Sequence, residues 1–281
     1  MGTMKQTGWS ILLRAVGALF VILGFLPLAQ AEDVLFIGNS FTFGGGDTTV
    51  IKDGGVPKLV EAIAASKGKS ASTLMVTTGG MDWGFHLKNP ATAIALNRKP
   101  WDAVVIQDYS TKPTHVGNVD AFMKEGAEFE DRIVKASPHA WIVLYETWAY
   151  GAKNPIYART SSPTKFTNPE QMTSEVQKNY AALQASLHAK NPDCQVLVAP
   201  VGDAFARTRA EHPEINLYAT DFKHANQNGS YLAALVIYAT LFHDSPLHAT
   251  ATFPGFTLDP QTAAKLQSVA QEITQTHPET H

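Results

Sequence analysis

Five short runs of branched aliphatic residues, separated by longer amphipathic stretches, are the feature that most constrains what this chain can fold into. The runs fall at 34–37, 73–76, 103–106, 141–144 and 195–199. Each is rich in Val, Ile and Leu and bounded by turn residues, as strands buried on both faces are. Parallel strands need crossovers long enough to hold a helix, so this alternation predicts an α/β domain on a parallel sheet. Helices are expected at 56–66, 120–136, 169–189 and 229–242, with a last one from Pro260. Asn168 and Asp259 are the expected caps, with Pro169 at a first helical position. The 229–242 stretch is apolar on nearly every side and belongs in the interior. One irregular region, 146–167, mixes Gly, Pro and aromatic residues and reads as an elaborated loop within one domain.

The first thirty-one residues stand outside this pattern. Lys5 and Arg14 supply a basic start, 15–26 an apolar run, and Ala29-Gln30-Ala31 a small-residue cleavage site, the pattern of an export signal. The apolar run is shorter than the roughly 20 residues of a spanning helix, so no stable membrane insertion is expected after cleavage. Removing this segment leaves 250 residues and takes away two of 22 basic residues and none of 25 acidic ones, a mature balance of −5. Without a basic surplus to neutralise phosphates, nucleic acid is not an expected partner. The lone cysteine, Cys194, cannot form an internal disulfide and reads as buried packing.

The first run delivers Gly38-Asn39-Ser40-Phe41-Thr42 at its carboxyl end, the edge where open α/β sheets bind ligands. A serine on a tight turn there can serve as a nucleophile while backbone N–H groups face a developing oxyanion. The turn matches neither a dinucleotide nor a Walker phosphate loop, and Thr42 stands where an ordinary nucleophile elbow has its second glycine. Asp221-Phe222-Lys223-His224, just before the apolar 229–242 stretch, offers a base and a carboxylate to orient it.

Val34-Leu35-Phe36-Ile37-Gly38-Asn39-Ser40-Phe41-Thr42 resembles the first block of the SGNH/GDSL hydrolases, and Asp221-Phe222-Lys223-His224 resembles their last. The resemblance implies a flavodoxin-like three-layer α/β/α fold with a five-stranded parallel sheet, and residues 32–281 as a single catalytic domain. It implies ester hydrolysis by Ser40, His224 and Asp221 without a cofactor; no His-Glu-x-x-His, cysteine cluster or other zinc-site spacing is present, so no metal is expected. Oxyanion donors would be the N–H of Ser40, Gly80 (with Gly79 as the alternative) and the side chain of Gln107, which stands where the family usually has Asn. Asn39 replaces the family's usual Asp, a position that is not the triad acid. The pairing of Gly-Asn-Ser-Phe-Thr with Gln resembles a bacterial subgroup.

Trp83, Trp148 and Tyr150 follow the second and fourth runs on the nucleophile's edge and are candidates for stacking on a sugar, or else for packing beneath the loops. Asp108 and Glu146 sit at strand ends and are candidates for binding substrate hydroxyls. The expected protein is an exported esterase, periplasmic or secreted, acting on a small-molecule or polysaccharide ester, with acetyl groups on carbohydrate favoured. Acyl transfer by the same triad and a silent sugar-binding protein of the same fold are the alternatives.

Overall fold

The computed structural model describes residues 1–3, 32–158 and 162–276. The expected export signal, its first three residues excepted, lies outside the described residues. Five strands form: β1 (Glu32–Gly38), β2 (Ala71–Thr77), β3 (Ala103–Ile106), β4 (Trp141–Tyr145) and β5 (Val196–Ala199). All pairings are parallel, in the spatial order β2-β1-β3-β4-β5. Each expected run coincides with a strand to within its ends. The central strands carry uninterrupted apolar runs because helices cover both faces: Val34 to Ile37 of β1 and all of β3 are buried. At the edge, β2 is half-buried and carries Ser72, Thr73 and Thr77.

The chain runs outward from β1 to β2, then returns to β3 on the other side of β1. This reversal leaves a crevice at the carboxyl ends of β1 and β3, where neighbouring connections diverge.

α1 (Ser40–Phe43), α2 (Thr48–Lys52) and α3 (Gly55–Ser66) join β1 to β2, and α4 (Trp83–His86) and α5 (Pro90–Leu96) lead on to β3. The longer α6 (Val119–Ala136) and α7 (Pro169–Lys190) precede β4 and β5, and α8 (Val201–Glu211), α9 (Gln227–Phe242) and α10 (Pro260–Thr276) follow. Asn168 caps α7 by accepting from the N–H of Gln171 (2.8 Å), and Asp259 caps α10 by accepting from that of Thr262 (2.9 Å). α9 touches α3, α8, α10, β4 and β5, which explains why almost no face of it is polar. Cys194 is buried, and burial pushes its thiol up to about 11, in keeping with inert packing.

α8 has no counterpart among the expected helices. Its first residues lack a cap of their own, and the carboxyl of Glu146 accepts from the N–H groups of Asp203 and Gly202 instead. Such a long-range cap leaves no local signature in the sequence.

Leu235 lies in α9 and is completely buried. Leu235→Ala is expected to lower the unfolding free energy by about 2–5 kcal/mol in urea titration. A loss below about 1 kcal/mol would remove α9 from the core.

Candidate active site

Ser40 is the first residue of α1, and Asn39 caps that helix by accepting from the N–H of Phe41 at 3.2 Å. Asn39 also donates through its amide to the carbonyl of Met81 at 2.9 Å, joining the nucleophile's turn to the loop after β2. The backbone N–H of Asn39 and the hydroxyl of Thr42 both donate to Oε1 of Gln107, at 3.0 and 2.9 Å. Gly38 makes room for this, since a β-carbon there would lie 2.7 Å from the same oxygen. A backbone N–H can only donate, so the amide oxygen must face the turn. The amide nitrogen donates to the carbonyl of Asp108.

His224 Nε2 lies 2.8 Å from Ser40 Oγ, and its Nδ1 lies 2.5 Å from Asp221 Oδ2. A carboxylate at Nδ1 fixes the proton there and leaves Nε2 as the acceptor for the serine hydroxyl. The other carboxyl oxygen of Asp221 accepts from the N–H groups of Lys223 (2.9 Å) and His224 (3.0 Å). Partial burial of Asp221 favours its neutral form, but these bonds and the imidazole outweigh it and hold the carboxyl below its usual range. Phe222 adopts a φ of 55°, the left-handed conformation that closes so short a turn between acid and base.

The segment after β4 holds this turn from outside. Three successive carbonyls, those of Asp221, Phe222 and Lys223, accept from Asn154 Nδ2 (3.0 Å), Gly151 N (2.8 Å) and Trp148 Nε1 (3.0 Å). Trp148 also stacks between Phe41 of α1, at 4.2 Å between ring centres, and Phe205 of α8, at 4.3 Å. Phe41 in turn meets the His224 ring edge-on at 5.6 Å. Nucleophile and base thus share one aromatic support.

No family model matches the chain, and no curated protein matches it. Solved structures do. A DUF4886 family protein from Bacteroides uniformis superposes with a TM-score of 0.70 at 18% identity, over 89% of this chain and 98% of that one. A protein from Slackia heliotrinireducens assigned to the SGNH hydrolases gives 0.58 at 25% identity, over 75% and 100%. The psychrotrophic esterase EstA from Pseudoalteromonas gives 0.52 at 11% identity, over 75% and 96%. The fold is that of the SGNH hydrolases.

On this SGNH fold, Ser40, His224 and Asp221 come together at the crevice between β1 and β3, while several other expected site residues do not. Gln107 was expected to donate to an oxyanion; it is completely buried, and its amide is spent on the nucleophile's turn and on Asp108. Trp83 is completely buried against Phe122 and Phe129, and Trp148 lies within its stack, so neither presents a face to a sugar. Tyr150 is also buried, with its hydroxyl 2.6 Å from Ser110 Oγ. In a three-layer fold the loops over the sheet edge need their own apolar filling, and these rings supply it.

Asp108 lies beneath the site and accepts from the N–H groups of Trp83 (2.8 Å) and Tyr109 (2.7 Å), so it does not face substrate. Burial pushes its carboxyl up to about 7, against the charge of Lys112 and those two bonds. Glu146, also buried, caps α8 and lines a cavity of about 950 Å³ among α7, β5, α8, α9 and α10, apart from Ser40, Asp221 and His224. Burial holds its carboxyl well above the usual range.

Gly80, with φ of 73°, takes the third place in a turn from Thr78 to Met81 closed by a 3.2 Å backbone bond, a place that needs positive φ. Gly79 has no such requirement, and a β-carbon there would only touch the Phe43 ring. One supporting residue escaped sequence reasoning entirely. His86, buried behind the site, lies 2.8 Å from the Gly38 carbonyl through Nε2 and 3.1 Å from Thr92 Oγ1 through Nδ1. The cap at Asn39 was readable, as an Asn directly before a short polar-apolar helix start.

Gln107→Ala leaves the N–H of Asn39 and the hydroxyl of Thr42 buried without their acceptor. It is expected to cost about 1–3 kcal/mol of stability as well as turnover. Lost turnover with unchanged stability would return Gln107 to the role of oxyanion donor.

Asp108 yields a pH dependence. Its folded-state pKa is raised above the usual 3.8, so between about 4 and about 7 the native chain keeps a proton that the unfolded chain has released. Its contribution to stability therefore falls as pH rises through that window and is level above it. Asp108→Asn removes the dependence, so melting temperatures measured across the window should shift in favour of the variant. A difference that stays constant from pH 4 to 7 contradicts the assignment.

Proposed function

We propose that this chain is an exported serine esterase that cleaves carboxylic esters through an acyl-enzyme. One observation carries the reading: a hydroxyl, an imidazole and a carboxylate stand in an unbroken hydrogen-bonded line at the carboxyl edge of the sheet. As Ser40 Oγ bonds to the ester carbonyl carbon, its proton passes to His224 Nε2 and an electron pair moves onto the carbonyl oxygen. Asp221 stabilises the imidazolium through Nδ1, and the backbone N–H groups of Ser40 and Gly80 receive the oxyanion. Collapse of that intermediate expels the alkoxide, which takes the proton from Nε2. Water, deprotonated by the same nitrogen, then releases the acid and restores Ser40.

Export rests on the basic and apolar N-terminal pattern with its Ala29-Gln30-Ala31 site. Acetyl groups on carbohydrate remain a substrate reading, but the burial of Trp83, Trp148 and Tyr150 withdraws the stacking argument for it.

Ser40→Ala is expected to reduce hydrolysis of 4-nitrophenyl acetate to the uncatalysed background while leaving the thermal unfolding curve in place. Near-native turnover by the folded variant would remove Ser40 as nucleophile.

A further inference from the structure

Lys223 stands immediately before His224, inside the turn that carries acid and base. Its Nζ lies 3.2 Å from the hydroxyl of Tyr109, 4.8 Å from the centre of that ring and 5.5 Å from the centre of the Tyr150 ring. Both ends of its backbone are fixed, the N–H on Asp221 and the carbonyl on Trp148. The residue is half-buried and, among the described residues, has no carboxylate partner. Aromatic faces offset part of the cost of withdrawing an ammonium from water, and an anion would offset far more.

The surroundings extend this charge. Lys153 Nζ lies 5.7 Å from the centre of the Phe222 ring, on the same turn, and it too has no carboxylate partner among the described residues. Two lysines, Lys223 half-buried and Lys153 exposed, thus lie on the acid–base turn. Tyr109, which holds Lys223, leaves β3 two residues after the Gln107 that braces the nucleophile. The ammonium is thus held between the acid–base turn and the segment that leaves β3.

The reaction itself says which half of the ester lies there. His224 Nε2 must reach the departing alkoxide, so the alcohol half leaves on the His224 side, whereas the acyl oxygen turns toward Ser40 and Gly80. We infer that Lys223, held by Tyr109 and Tyr150, is an anion subsite for the alcohol half, and that the preferred substrate is an ester of a carboxylate-bearing alcohol. This inference rests on the serine-esterase reading above.

The test compares kcat/KM of the full chain on 4-acetoxybenzoate and on its neutral methyl ester, two acetates of which the neutral one has the better leaving group. The charged ester is expected to be favoured by at least tenfold, a ratio that shrinks as salt screens the contact. Lys223→Met should lower that ratio about tenfold, and Lys223→Arg should keep most of it. A merely structural lysine would change both esters alike. A wild-type ratio near one overturns the subsite and leaves the esterase standing. So does a ratio that Lys223→Met does not alter, or a preference found only when the anion is moved to the acyl side, in phenyl hydrogen succinate against phenyl butyrate. Hydrolysis of none of these esters overturns the esterase reading, and the subsite with it.

Discussion

The amide oxygen of Gln107 is the point on which the site depends. It lies at the carboxyl end of β3 and binds the backbone of Asn39 and the hydroxyl of Thr42, one on each side of Ser40. That places two hydrogen bonds across the place where strand order reverses, in a fully buried setting where an unmet donor is costly. The same bonds that close the core therefore set the serine's position. Stability and geometry are not separable at this residue, because the interior that needs the amide's oxygen satisfied also decides where α1 begins.

A second support comes from the region between β4 and α7. Its length and composition marked it in the sequence as an elaborated loop. Trp148, Gly151 and Asn154 hold three consecutive carbonyls of the turn that carries Asp221 and His224. A four-residue turn with a left-handed Phe222 is a strained place to mount an acid–base pair, and the donors from this segment hold it in that form. The Phe41, Trp148 and Phe205 stack ties the nucleophile's helix to the same support. Positioning reaches the base from one side and the nucleophile from the other.

The strands were legible because burial on both faces demands uninterrupted aliphatic runs, and no other element of that length does. Ser40 was legible because the carboxyl edge of a parallel sheet is where ligands bind, whereas Asp221–His224, between α8 and α9 and at no strand end, was paired with it by the family resemblance. What the sequence did not disclose depends on neighbours distant along the chain. The direction of the Gln107 amide is decided by an N–H sixty-eight residues away. The enclosure of Trp83 and Trp148 is decided by rings on α6, α1 and α8. An aromatic residue after a strand reads the same whether it faces substrate or fills the space under a loop, and here it fills the space. α8 was missed for a related reason, since its cap is contributed by Glu146 at the end of another strand.

The central claim is that Ser40 is an activated nucleophile in the folded protein. Reaction with a fluorophosphonate, followed by peptide mapping, tests it most directly. The account requires one equivalent of adduct on the peptide containing Ser40, with labelling abolished by prior unfolding. Folded protein that remains unlabelled, or that carries the adduct on another serine, contradicts it.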